Sequence, residues 1–131
     1  MSAKSPACIE TVRGWVAAAK RIVVLSGAGI STESGIPDFR GPNGLWTRDP
    51  EAEKLSDIRY YLADPEVRRK AWLKRLANPA WTAEPNAGHK AIVDLERRGQ
   101  LHALLTQNIT GPHKQAGGAP RNEIEVQGTR H

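Results

Sequence analysis

A chain of 131 residues has room for one domain, and 39% apolar with 25% charged residues suits a packed core rather than a disordered tail. No apolar run reaches the roughly 18 residues of a membrane span. Met1 to Pro6 lacks the apolar stretch of a secretion signal, and the single Cys8 excludes an internal disulfide or a Cys-rich metal site. These features point to the cytoplasm. The net charge of +5 favours acidic partners weakly. Its basic residues are scattered, and no aromatic-interleaved basic motif speaks for nucleic acid.

In chain order, Ile9, Val12, Val16 and Ala19 recur at helical spacing and predict a first helix from Pro6 to Lys20, with this stripe facing a core. Ile22–Leu25 reads as a buried strand. It runs into Gly27-Ala28-Gly29, where missing side chains let the backbone turn tightly and approach a ligand. Ser31 or Thr32 is expected to cap a helix whose free N–H groups face an anion. The third glycine of the dinucleotide fingerprint is replaced by Thr32. Spacing alone therefore leaves two readings, a phosphate-binding loop and a plain glycine turn.

Gly35, Pro37, Gly41, Pro42, Gly44 and Pro50 forbid a long helix over residues 31–50. A loop of that length is usually functional or mobile. Within it, Phe39 could simply pack and Asp38 pair with Arg40. Two helices follow, Asp57 to Ala63 and Pro65 to Leu76, the second capped by Asp64 and stopped by Asn78-Pro79. Val67, Trp72, Leu73 and Leu76 are expected to share a buried face. Asn86 to Arg98 carries the best helix signals: Asn86 as cap, an apolar stripe of Ala91, Ile92 and Leu95, and Gly99 as stop. His89 in its first turn reads as structural. Leu101–Thr106 is a second buried strand, and Gln107-Asn108 stand at its C-terminal end, where open α/β sheets place ligand contacts. A short helix over Gly111 to Ala116 and a third strand over Glu123 to Val126 complete the chain. No linker divides it.

The stretch Gly27-Ala28-Gly29-Ile30-Ser31 through Ser34-Gly35-Ile36-Pro37-Asp38-Phe39-Arg40 resembles the cofactor loop of the sirtuins, the NAD-dependent protein lysine deacylases. Thr106-Gln107-Asn108-Ile109, with Gly111, His113, Ala116 and Gly117, resembles that family's second motif. Pro85-Asn86 with His89 fits a third, and Glu125 to Thr129 falls where the family has a Glu-φ-His-Gly-Thr run (φ being apolar). The resemblance covers roughly residues 8 to 129. It implies an α/β fold with an incomplete Rossmann-like parallel sheet of about three strands, and a helical insertion. Residues 1–131 would be one truncated NAD-binding domain. The zinc module, two Cys-x-x-Cys pairs, and the rest of the sheet would lie beyond this chain, so no metal site is expected in it.

The same resemblance assigns NAD binding to Gly27, Ala28, Gly29, Ile30, Ser31, Asp38, Phe39, Arg40, Gln107, Asn108, Ile109 and Thr110. It places Asn108 and Gln127 at the reacting ribose, Phe39 over that ribose, and acyl-lysine proteins as substrates. Three departures bear on function. Thr110 stands where the family has an aspartate that seats the nicotinamide amide, and a hydroxyl is a shorter, uncharged acceptor. Pro112 replaces a leucine. Gln127 replaces the histidine that takes a proton from the ribose, and a primary amide takes up no proton near neutral pH. Three readings remain: a deacylase, an NAD- or ADP-ribose-binding protein without turnover, and a truncated product without stable function.

Overall fold

A computed structural model describes residues 6–109, 111–119 and 123–128. Helix α1 spans Pro6–Ala18 and strand β1 Ile22–Ser26; a 3-10 segment, Ala28–Ser34, follows directly. Short helices α2 (Leu45–Arg48) and α3 (Glu51–Lys54) sit in the proline-rich region. Next come α4 (Ile58–Ala63), α5 (Pro65–Leu76), a 3-10 turn (Pro79–Trp81), α6 (Ala87–Arg97), β2 (Leu101–Thr106), α7 (Pro112–Gln115) and β3 (Glu123–Glu125).

The three strands form one parallel sheet in the order β1-β2-β3. A parallel pair needs a long crossover, and residues 27–100 supply it between β1 and β2. Val23 to Ser26 pair with Ala103 to Thr106, after an irregularity that leaves His102 without a β1 partner. The Arg21 guanidinium meets the His102 ring there, 2.9 Å from Nε2.

Local signals explain the helices well. The Asp57 side chain caps α4 by accepting from Arg59 N–H, and Asp64 caps α5 by accepting from Glu66 N–H. Asn86 caps α6 through Gly88 and His89 N–H, and His89 returns the favour to the Asn86 N–H, a reciprocal box. Gly99 follows α6 at φ +72°, the left-handed turn that ends a helix and favours glycine. Gln100 ties the end of α1 to the sheet: its Nε2 donates to the carbonyls of Val16 (3.1 Å) and Ala19 (2.8 Å).

Burial departs from the sequence expectations in three places. The α1 stripe is covered only toward its end: Ile9 is 51% and Val12 44% exposed, while Val16 and Ala19 are half-buried. On α5, Trp72, Leu73 and Leu76 are exposed, Val67 is half-buried, and Ala71 is buried instead. Strand β1 is covered on one face only, with Val23 and Leu25 exposed. Leu25, Leu105 and Ile124 are register partners across the three strands, so the open face carries an apolar row. A short apolar run shows that a strand is apolar, not how many of its faces are covered. Among the described residues the buried apolar ones are few: Ala52, Ala71, Ile92, Val93 and Leu104, with α6 packed on β2.

Candidate functional site

The site lies where β1 and β2 end side by side. Two small polar side chains close the strands: Ser26 Oγ donates to Thr106 Oγ1 at 3.0 Å, both residues buried. Thr106 opens the second motif read in the sequence; Ser26 was not singled out there, although a small hydroxyl at a strand end was the available signal. Beyond them the two loops are stitched together. Gln107 N–H donates to the Ser26 carbonyl at 3.0 Å, and Asn108 Nδ2 donates to the Gly27 carbonyl at 3.1 Å. Asn108 N–H returns to Thr106 Oγ1 at 3.1 Å. Of the expected juxtaposition, Gly27 lies against Gln107 and Asn108 at the C-terminal strand ends, and Ala28 and Gly29 continue from it into the 3-10 segment.

The helix after the glycine turn starts earlier than expected. Gly27 is the N-cap, in extended backbone and without a side-chain cap. Ser31 and Thr32 lie inside the 3-10 segment, and Thr32 Oγ1 donates backward to the Gly29 carbonyl at 3.0 Å. With glycine at the cap, the first N–H groups of the segment keep no intrahelical acceptor. Ser31 turns inward, 2% exposed, to the ring of His89, which is 0% exposed. The His89 Nδ1 accepts from Asn86 N–H at 3.2 Å, so the proton sits on Nε2 and points to Ser31 Oγ at 3.3 Å. Burial pushes the His89 pKa below its ordinary 6.5, which suits this neutral ring. Asn86 adds two more ties, donating from Nδ2 to the Ile30 carbonyl at 2.7 Å and to Ser34 Oγ at 3.0 Å. One helix start thus holds the whole 3-10 segment. The sequence showed Asn86 as a cap, but not this second duty.

Asp38, Phe39 and Arg40 lie on a tight turn. Asp38 Oδ1 accepts from Gly41 N–H at 3.0 Å rather than pairing with Arg40. Leu45 and Trp46 N–H close the turn onto the carbonyls of Asp38 (2.7 Å) and Phe39 (2.9 Å). A Cβ at Gly44 would stand 2.6 Å from the Phe39 carbonyl, so glycine is required there. Phe39 packs on Trp46, ring centroids 4.7 Å apart, and the Arg40 guanidinium also lies over that indole. Both Phe39 and Arg40 remain exposed.

Ile30 and Ile109 are half-buried. Gln127 is exposed in the turn after β3. That turn is tied to the end of β2 by Val126 N–H donating to the Thr106 carbonyl at 3.0 Å, which sets Gln127 at the same end of the sheet as Asn108. Thr110 and Thr129 lie outside the described residues. No group of three or more His, Cys, Asp or Glu able to hold a metal occurs among the described residues. No helix there is long and apolar enough to cross a membrane.

The donor set fits a dinucleotide. Open N–H groups at a glycine turn suit a pyrophosphate, neutral amides suit ribose hydroxyls, and an exposed arginine adds positive charge. An open parallel sheet with such a turn at its strand ends defines a nucleotide-binding α/β protein. The Sir2 family profile matches residues 27–130, and the chain belongs to that family. It is 58% identical over 108 residues to NAD-dependent protein deacetylase 2 of Streptomyces coelicolor, covering 82% of this chain and 45% of the relative. It is 42% identical over 125 residues to the NAD-dependent protein deacetylase of Bacillus subtilis, covering 92% of this chain and 49% of that protein. A solved Sir2 homologue in complex with ADP-ribose superposes with a TM-score of 0.77 at 40% identity, over 92% of this chain and 47% of that one. A Sir2 homologue–NAD complex gives a TM-score of 0.72 at 40% identity, over 92% and 45%. The chain therefore spans about half the length of the relatives it matches.

Proposed function

We propose that residues 1–131 carry the NAD-binding half of a protein lysine deacylase, and that this chain by itself binds the cofactor without turning it over. The observation that carries this reading is the stitching of Gly27 to Asn108 across the ends of β1 and β2. It puts a glycine turn opposite two neutral amides, and the NAD- and ADP-ribose-bound relatives share the fold. In this reading the backbone of Gly27 to Ser31 holds the pyrophosphate, and Gln107 and Asn108 meet the ribose or an ordered water. Asp38, Phe39 and Arg40 close over the cofactor, with Ile30, Ile109 and Thr110 beside it. Bound NAD supplies a glycosidic bond whose cleavage releases nicotinamide and lets ADP-ribose take the acyl group of a protein lysine. Gln127 can hydrogen-bond a ribose hydroxyl but cannot draw off its proton. Removing a general base typically costs about 10²- to 10⁴-fold in rate. The partners are acyl-lysine proteins, and the location proposed is the cytoplasm, on the lone Cys8 and a soluble co-substrate.

The test pairs binding with turnover. ADP-ribose added to this chain should give a saturable calorimetric signal, and NAD with an acetyl-lysine peptide should give no nicotinamide. Fusing residues 1–131 to the remaining length of the Streptomyces coelicolor relative should bring activity within range. In that fusion Gln127→His should raise the rate by about 10²- to 10⁴-fold. Equal rates for glutamine and histidine would refute the assignment of residue 127. Absence of ADP-ribose binding would favour the reading of a product without function.

A further inference from the structure

Trp46 belongs to no motif above, yet it joins two residues that the NAD reading uses. Its ring centroid lies 4.7 Å from that of Phe39, with the planes at 41°. The Arg40 guanidinium carbon lies 4.6 Å from the same centroid, within the range of a cation–π contact. Its backbone N–H holds the Phe39 carbonyl at 2.9 Å. The three residues are thus clasped through main chain and side chains together.

The indole Nε1–H is buried and meets no acceptor among the described residues. A buried donor without an acceptor costs stability. The indole is therefore not held here by hydrogen bonding. What it offers is a broad ring surface for one aromatic and one cationic neighbour. Without that surface, Phe39 and Arg40 would be long side chains on a loop of prolines and glycines, free to sample many rotamers. Ordering them would then fall on ligand binding and weaken it.

We propose that Trp46 is a positioning residue of the cofactor loop: its ring face pre-arranges Phe39 and Arg40 as one unit for an ADP-ribose-containing ligand. The proposal rests on the reading that Phe39 and Arg40 meet NAD. Trp46 itself acts through those two side chains. An aromatic ring is what position 46 must supply, and an aliphatic side chain of similar bulk does not serve.

The experiment uses the full chain with ADP-ribose as the probe, titrated calorimetrically. Trp46→Phe should bind within about threefold of the parent, since a smaller ring still packs Phe39 and attracts Arg40. Trp46→Leu should bind about 5- to 10-fold more weakly. Combined with Phe39→Leu and Arg40→Ala, Trp46→Leu should add no more than about twofold, because its partners are already gone. A full additive loss there, or equal losses from phenylalanine and leucine at 46, overturns the proposal. A ligand-free measurement separates this outcome from failure of the NAD reading. The Arg40 side-chain Nε–H resonance should be displaced upfield by the indole in the parent and return toward its free position in Trp46→Leu. An undisplaced resonance overturns the proposal whatever the ligand does. A displaced resonance with no ADP-ribose binding overturns the cofactor reading, and the positioning role with it, and leaves only the contact.

Discussion

His89 shows how much one side chain can be asked to do. One ring nitrogen completes the start of α6 and the other reaches Ser31, 58 residues earlier in the chain. Burial lowers its pKa below the ordinary 6.5. In the unfolded chain the ring therefore protonates first as pH falls. Between the two values the unfolded state binds more protons, and stability rises with pH. The stability tied to neutral His89 is thus fully present above about pH 6.5 and is lost on acidification below it. Urea denaturation at pH 7.5 and 5 should show this loss in the parent, and less of it in His89→Gln, which can keep the reciprocal cap. An equal loss in both would assign the pH effect elsewhere. Glu123 has the opposite sign. Burial raises its carboxyl pKa above the ordinary 4.5, partly offset by attraction to Lys114. Its folded-state preference for the proton favours folding at low pH, and that contribution is lost as pH rises through the folded pKa. Glu123→Gln should therefore stabilise the protein at pH 7 and change little at pH 4. Stabilisation of the same size at both would refute this account.

Helix α6 is the element on which the site hangs. Its cap residue Asn86 accepts from Gly88 and His89 N–H, and donates to Ile30 and Ser34 of the 3-10 segment. Two substitutions separate these duties. Asn86→Ala removes both and should cost about 1–2 kcal/mol of stability, by the usual weight of an N-cap. Asn86→Asp keeps an acceptor for the cap but loses the Nδ2 donor. It should keep most of the folding stability and still speed hydrogen exchange at the N–H groups of residues 28–34. Exchange there as slow as in the parent would show that the donor ties do not hold the segment. The cap was legible because an asparagine before an apolar-periodic run is a local signal. The ties to Ile30 and Ser34 were not, because they cross more than 50 residues of chain.

At the scale of the molecule, the sheet is covered on one face and open on the other. Leu104 is 3% exposed on the covered face, and Leu25 is 70% exposed on the open one. The two leucines should behave oppositely. Leu104→Ala should cost about 2–5 kcal/mol, the range for emptying a packed position. Leu25→Thr should change stability by less than about 0.5 kcal/mol. It should also reduce self-association, since the row Leu25, Leu105 and Ile124 is the kind of apolar surface that recruits partners. Sedimentation velocity over a range of concentrations, beside urea denaturation, checks both. A destabilisation by Leu25→Thr comparable to that of Leu104→Ala would mean that the open face is covered in solution.

Much of this architecture was determined by short-range chemistry. The caps Asp57, Asp64 and Asn86, the stop at Gly99 and the three strands all follow from residues within a few positions of each other. The meeting of Gly27 with Asn108 was legible for a related reason. Adjacent parallel strands bring their C-terminal ends together, so two motifs that each follow a strand become neighbours. Burial belonged to another level. The apolar stripes of α1 and α5 promised core faces, yet Ile9, Val12 and Leu76 face solvent, because a periodic pattern marks a face without saying what lies against it. The duties of Ser31, His89 and Trp46 also waited for the tertiary structure. Each depends on a second or third partner brought in by chain folding: His89 for Ser31, and Phe39 with Arg40 for Trp46. Local chemistry determines where an element starts, stops and turns; only packing decides which of its side chains have company.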